Sequence, residues 1–272
     1  MKRSIKIILA ALICVPFVYT SCKKSATPSA PSNTSANTMA ISKQIAGNFI
    51  KSLNGGYGGA KIGDGIKAPS GFMSSQKGPR VNSVTPYCGY TIDTALNFTT
   101  LTGDTSKTVD SKYKFIYTCS NGTLDGYILS DSITYTDSSP LFKNKYITGQ
   151  NYSVNNASSD YSVVLMRGTL GTNYSVSTLN NSHLEIAYNK ANTQYYLNAL
   201  TVNVSGKSPD ITGGSVDFNA NITYLQDGNT VTGGYSGSMQ FLGNHIAKIT
   251  LTYNGVTTVY SYNLITQYIG TI

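Results

Sequence analysis

Between residues 39 and 53 the apolar side chains Ile41, Ile45, Phe49, Ile50 and Leu53 recur at spacings of three and four, with Ser42, Lys43, Asn48, Lys51 and Ser52 falling elsewhere. That period predicts one amphipathic helix, since residues three and four apart share a helix face. Asn54-Gly55-Gly56 ends it, because glycine enters the left-handed conformation of a helix stop without side-chain strain. The helix has three readings: its apolar face packs on a sheet built by the later chain, it is a lid over a hydrophobic cleft, or it lies on a membrane surface. The glycine run from Gly55 to Gly59 comes after a helix instead of leading from a strand into one and lacks a Gly-Lys-Ser/Thr ending. It reads as a flexible connector, not a phosphate loop. Residues 57–86, rich in Gly, Pro and Ser, are expected to be irregular and draped over the body.

From Tyr87 the period changes to two and predicts strands to the C-terminus. Three turn signals test their registers. A two-residue turn at Asn254-Gly255 pairs Tyr253 with Val256, Leu251 with Thr258, Ile249 with Tyr260 and Ala247 with Tyr262, all on one apolar face. The same construction at Asp227-Gly228 pairs Tyr224 with Val231, Ile222 with Gly233, Ala220 with Tyr235 and Phe218 with Gly237. Large side chains there oppose glycine or alanine, which lets a sheet bend. At Asn121-Gly122 a two-residue turn puts Tyr127 and Leu129 on the wrong face. A three-residue loop, Ser120-Asn121-Gly122, is therefore expected, pairing Phe115 with Tyr127 and Tyr113 with Leu129. Further strands are expected at 146–154, 161–167, 174–178, 184–188 and 195–204. The last but one has Leu184, Ile186 and Tyr188 on its core side.

The expected fold class is therefore all-β: a large curved antiparallel meander of roughly eleven to thirteen strands with one N-terminal amphipathic helix. An open sheet, a closed barrel and a two-layer sandwich all satisfy the pattern. The expected organisation is a signal peptide over 1–21, a lipidated flexible tether over 22–38, the helix and connector over 39–86, and the β domain over 87–272.

The leader is read from Lys2, Arg3 and Lys6, which precede the apolar run 7–18, and from Thr20 and Ser21, which lead into Cys22. About a dozen apolar residues are too few for a membrane span, which needs roughly 20. The junction Tyr19-Thr20-Ser21-Cys22-Lys23-Lys24 resembles the lipoprotein sites of Bacteroidota-type bacteria, although Tyr19 stands where leucine is usual. The resemblance implies lipidation of Cys22, cleavage before it, and attachment to a cell-envelope membrane. Lipoproteins exported to the surface usually carry acids after the cysteine, and Lys23-Lys24-Ser25 has none. An outer-membrane anchor facing the periplasm is therefore expected, with the cell surface as the alternative.

The formal charge of +8 does not point to nucleic acid. Three basic residues leave with the leader, residues 23–80 hold eight basic groups against Asp64, and residues 81–272 hold nine basic groups against eleven acids. The β body is close to neutral, and the basic segment lies beside the lipid, where anionic headgroups attract it. The expected partners are the membrane, through the anchor, and an apolar ligand or an envelope protein.

With Cys14 in the leader and Cys22 taking lipid, Cys88 and Cys119 remain as an even pair. An oxidising compartment favours a disulfide between them, expected to be buried, with two buried free thiols as the alternative. Such a loop contributes roughly 3 to 4 kcal/mol in the chain-entropy view. No metal site, cofactor or catalytic residue is nominated. His183 alternates with Glu185 on the polar side of its strand, and His245 begins a strand as a hydrogen-bonded edge residue. Ser111-Lys112-Tyr113-Lys114 spells Ser-x-x-Lys, but residues three apart on a strand face opposite ways. Glu185 is the only glutamate, so no carboxylate pair is available for glycoside hydrolysis. The 21 tyrosines are read mainly as core and cross-strand pairs, with a tyrosine-lined groove as the sharper reading.

The helix and the curved meander after it are similar in architecture to the half-barrels of Lol-type lipoprotein carriers, and the segment 237–264 is similar to uncharacterised Bacteroidota lipoproteins. The first likeness implies a binding module with a helical lid and carries over no residue. A non-catalytic binding or scaffold module is expected, with a structural envelope protein as the alternative and an enzyme as the third reading. Metabolic labelling with radioactive palmitate is expected to mark the wild-type chain and not Cys22→Ala; label retained in the variant refutes the assigned site.

Overall fold

The computed structural model describes residues 32–66, 87–206, 208–226 and 228–272, of which 38–272 form one compact unit. The leader, Cys22, most of the tether and residues 67–86 lie outside the described residues.

Eleven strands form one antiparallel sheet in simple sequence order, open between its first and last strands. They are β1 (Thr91–Thr102), β2 (Thr105–Ser120), β3 (Thr123–Ser139), β4 (Phe142–Asn156), β5 (Val163–Leu179) and β6 (Glu185–Asn203), and then β7 (Asp210–Gln226), β8 (Asn229–Gly243), β9 (Ile246–Tyr253), β10 (Val256–Asn263) and β11 (Ile269–Thr271). Of the three architectures compatible with the period, the chain adopts the curved open sheet. The segments expected at 161–167 and 174–178 are one strand, β5, and those at 184–188 and 195–204 are one strand, β6.

Both tight hairpins have the expected register, pair by pair, from Tyr253↔Val256 to Ala247↔Tyr262 and from Tyr224↔Val231 to Val216↔Met239. The β2–β3 hairpin differs. Asn121 and Gly122, with φ of 51° and 76°, form a two-residue turn, and Ser120 pairs with Thr123. Asp125 then bulges out between Leu124 and Gly126, so Phe115 pairs with Leu129 and Tyr113 with Asp131. A bulge inserts one residue and flips the faces, so it does the work expected of a three-residue loop. Its site reflects the close packing of Gly126 on β4, where a Cβ would run into the Val154 carbonyl.

A second bulge at Ala199, held at φ 52°, reverses the facing of β6. Before it the odd residues Ala191, Thr193, Tyr195 and Leu197 are buried, and after it Leu200 and Val202 are. Leu184, just before β6, and Ile186, which bulges out between Glu185 and Ala187, are 64 % and 54 % exposed, and not on the core side as their apolar character suggested. Gly168 and Gly214, beside the Ala199 bulge on β5 and β7, have left-handed φ and leave no room for a Cβ against neighbouring backbone. Bulges and bare glycines aligned across neighbouring strands bend a sheet. The expected bend at Phe218 and Gly237 joins them, because the Phe218 ring lies over the bare Gly237 backbone, its Cζ 2.9 Å from where a Cβ would be.

Across the concave face runs α1 (Ser32–Leu53), which begins seven residues before the expected start and so takes in the end of the segment read as tether. Thr38 Oγ1 meets the Tyr260 hydroxyl of β10 at 2.7 Å, the Ile45 carbonyl accepts the Tyr195 hydroxyl of β6 at 2.9 Å, and the Ser52 carbonyl accepts Gln150 Nε2 of β4 at 3.2 Å. The helix axis therefore crosses the strands. From 38 to 53 it rises about 22 Å, whereas β10 to β4 is roughly 29 Å along a flat sheet. The helix is the chord of a curved trough. Ile41, Ile45, Ala46, Phe49 and Leu53 are buried in it, and Ile50 is half-buried on the flank. Ser42 and Ser52, expected on the polar side, are buried too, because the helical repeat places Ser42 between Phe49 and Leu53 and Ser52 between Ile41 and Ile45 on the side that meets the sheet.

Cys88 and Cys119 form a disulfide with Cα atoms 5.5 Å apart. It lies at the rim, Cys88 exposed and Cys119 half-buried, and not in the core: Cys119 pairs with Leu124 beyond the bulge, near the turn. Phe49 is fully buried between Tyr195 and Phe241, with ring centroids at 5.2 and 6.1 Å. Phe49→Ala is expected to lower unfolding free energy by about 3–5 kcal/mol and the exposed Lys43→Ala by less than about 0.5 kcal/mol. Urea denaturation monitored by tyrosine fluorescence checks both.

Candidate functional site

The side of α1 turned away from the sheet borders an open cleft of about 860 Å3. On one flank Gln44, Asn48 and Lys51 face Tyr146, Tyr174 and Val176, near the ends of β4 and β5 that meet the 139–142 and 179–185 turns. On the other, Ile50 faces Ile62, Pro209, Ile211, Leu264 and Ile265, toward the opposite ends of the strands. Ile50 and Asn48 take opposite flanks because two residues of helix turn through about 200°.

The first flank is built by the glycine run after the helix. Gly56 lies against the helix's last turn, where a Cβ would come 2.5 Å from Lys51 Cγ. The bare backbone lets Lys51 fold back over the rings, its Nζ 4.4 Å from the Tyr57 centroid and 5.1 Å from that of Tyr146, as a cation–π contact requires. Tyr57 stacks on Tyr146 at 4.6 Å, and Tyr146 on Tyr174 at 6.1 Å. The hydroxyls are committed: Tyr57 donates to Asn48 Oδ1 at 3.1 Å and Tyr174 to Asn189 Oδ1 at 3.3 Å, while Asn189 and Gln44 exchange amide hydrogen bonds. Burial pushes the Tyr57, Tyr146 and Tyr174 phenols above their ordinary range, and partial burial draws the Lys51 ammonium below its own.

The rest of the run is a packed element and not the flexible connector expected of it. Tyr57, Ala60, Ile62 and Ile66 are buried, and Gly58 and Gly59 take φ of 97° and 92°. A Cβ on Gly59 would lie 2.8 Å from Ile133 Cδ1 and 3.1 Å from Asp131 Oδ2. Asp131 is 7 % exposed. Its Oδ1 accepts the Gln150 backbone N–H at 3.0 Å, and its Oδ2 has no hydrogen-bond partner among the described residues. Gln150 in turn ties this carboxyl to the helix through the Ser52 carbonyl.

The residues singled out from the sequence are scattered. The Cys88–Cys119 disulfide is at the rim away from the cleft lining, and Cys22 is outside the described residues. His183 is in a turn at φ 60° with Nδ1 3.2 Å from the Pro140 carbonyl, and Glu185 pairs with Lys190 at 3.8 Å instead. His245 lines the cleft and faces Asp210 at 3.3 Å. Ser111 is buried and Lys114 exposed on opposite faces of β2. Among the described residues no group of three His, Cys, Asp or Glu side chains is close enough to hold a metal ion. Lys51, Tyr57, Tyr146 and Asp131 carry no motif; only the glycine run beside Tyr57 marks their place in the sequence. The chain matches no protein-family model, no curated protein and no solved structure.

Desolvation, against the single hydrogen bond from Gln150, raises the Asp131 carboxyl from 3.8 to about 8. The folded state then holds a proton that the unfolded chain releases. This group's contribution is most favourable below about pH 4 and weakens as pH rises toward 8, by up to about 1.4 kcal/mol per unit. Asp131→Asn is expected to remove that slope, so the variant gains on the wild type between pH 5 and 8 in urea unfolding. Parallel curves would refute the assignment.

Proposed function

We propose that this chain is a lipid-anchored, non-catalytic binding module of the cell envelope, held at a membrane through Cys22 and taking its ligand in the cleft along α1. The cleft itself carries the reading. It has the size of a small-molecule site, mixed apolar and polar walls, and polar groups held in place by hydrogen bonds and ring contacts. The sheet's apolar face is already filled by the helix, so the ligand lies beside α1 unless the helix swings out. Among the described residues no helix is long and apolar enough to cross a membrane, and the Thr20-Ser21-Cys22 junction supports attachment by lipid, on the outer membrane facing the periplasm.

A structural envelope protein without a small ligand is the second reading, favoured by the burial of Ile45, Phe49 and Leu53 in the trough. Native mass spectrometry of the chain purified from its own envelope separates the two. A retained mass that Tyr146→Ala releases is expected for the binding module, and only the apo mass, with no amphiphile taken up on titration, for the structural protein.

A further inference from the structure

One flank of the cleft carries the Lys51 ammonium over its tyrosines, the other carries an aliphatic wall with Lys43 on the Ile50 side of the helix, and the pairing of ammonium and wall identifies a ligand chemistry. Lys43 and Lys51 both line the cleft, and no Asp or Glu is among its described lining residues. The ion pairs among the described residues are Lys190 with Glu185 and His245 with Asp210, so neither cleft lysine has a carboxylate partner. The one cleft histidine is already matched by Asp210. Asp137 is near enough to Tyr146 to raise its phenol but forms no ion pair with Lys51.

Lys51 is exposed at the surface, but its stem and ammonium are held in place by two contacts. Its stem is seated in the space that Gly56 leaves, and its ammonium rests over the Tyr57 and Tyr146 rings. Those phenols stay neutral and cannot supply a counter-charge, and the Tyr57 and Tyr174 hydroxyls already donate to Asn48 and Asn189. A cation over aromatic rings with no ion-paired carboxylate among the described residues is best completed by an anion. Across the helix, Ile211, Leu264 and Ile265 offer an aliphatic wall, with Ile265 59 % exposed.

We propose that the cleft binds an amphiphile with an anionic head, its phosphate or carboxylate at Lys51 and its apolar body along the Ile211–Leu264 flank. This rests on the binding reading given above. Membrane phospholipid and free acidic amphiphiles share that chemistry.

The full chain in phosphatidylcholine nanodiscs is titrated with octyl phosphate, octyl glucoside and inorganic phosphate by calorimetry, with empty discs subtracted. Octyl phosphate is expected to bind at least about tenfold more tightly than either of the others. Lys51→Met is expected to abolish that preference while keeping the stem's packing, and Lys51→Arg to restore it. Equal affinity for octyl phosphate and octyl glucoside overturns the anionic head and leaves the binding module standing. Inorganic phosphate binding as tightly as octyl phosphate overturns the apolar arm. An unchanged octyl phosphate affinity in Lys51→Met overturns the site. No binding of any amphiphile removes this inference and the binding reading together. Where binding is found, its loss in phosphatidylglycerol discs identifies membrane lipid as the source, and its persistence identifies a free amphiphile.

Discussion

An open antiparallel sheet with one aromatic face cannot stand alone in water, and covering that face is the constraint on which the rest of the molecule depends. Phe115, Tyr195, Phe218, Phe241, Tyr260 and Tyr262 all point to the concave side, and burying each large side chain contributes roughly 1.5–3 kcal/mol. A second sheet or closure of the barrel would meet the same need. Here one helix meets it, with Phe49 against Tyr195 and Phe241 at its centre.

One helix suffices only because the sheet is bent around it. The bend is made where side chains are missing: Gly126 against β4, Gly168 and Gly214 beside the Ala199 bulge, and Gly237 under Phe218. The same economy continues after the helix, where Gly56 admits the Lys51 stem and Gly59 admits the Asp131 carboxyl. Curvature, helix seating and the cleft are thus linked through positions whose common property is the absence of a Cβ.

Filling the trough with α1 moves the available chemistry outward. Among the described residues the interior keeps one buried carboxyl, Asp131, whose proton makes its burial tolerable. The outward side of the helix keeps two lysines that have no carboxylate partner among the described residues, and a stack of neutral tyrosines. With residues 81–272 near neutrality, the positive balance of the sequence lies in residues 23–80, which supply Lys43 and Lys51 to this cleft.

The sequence by itself determined whatever depends on neighbours a few residues apart. Asn254-Gly255 sets a tight turn, and a tight turn sets every pair from Tyr253↔Val256 outward; the spacing of Ile41, Ile45, Phe49 and Leu53 sets a helix and its buried side. Only the tertiary structure decided the rest. The bulges at Asp125, Ile186 and Ala199 are placed by pairing between strands, so the turn at Asn121-Gly122 and the exposure of Ile186 were not legible in the alternation. The sheet is open with a helix across its face, and Gly59 meets Asp131 across 72 positions of chain. Local periodicity carries no information about such encounters, since they arise from how the curved sheet, the helix and the glycine run fill one volume together.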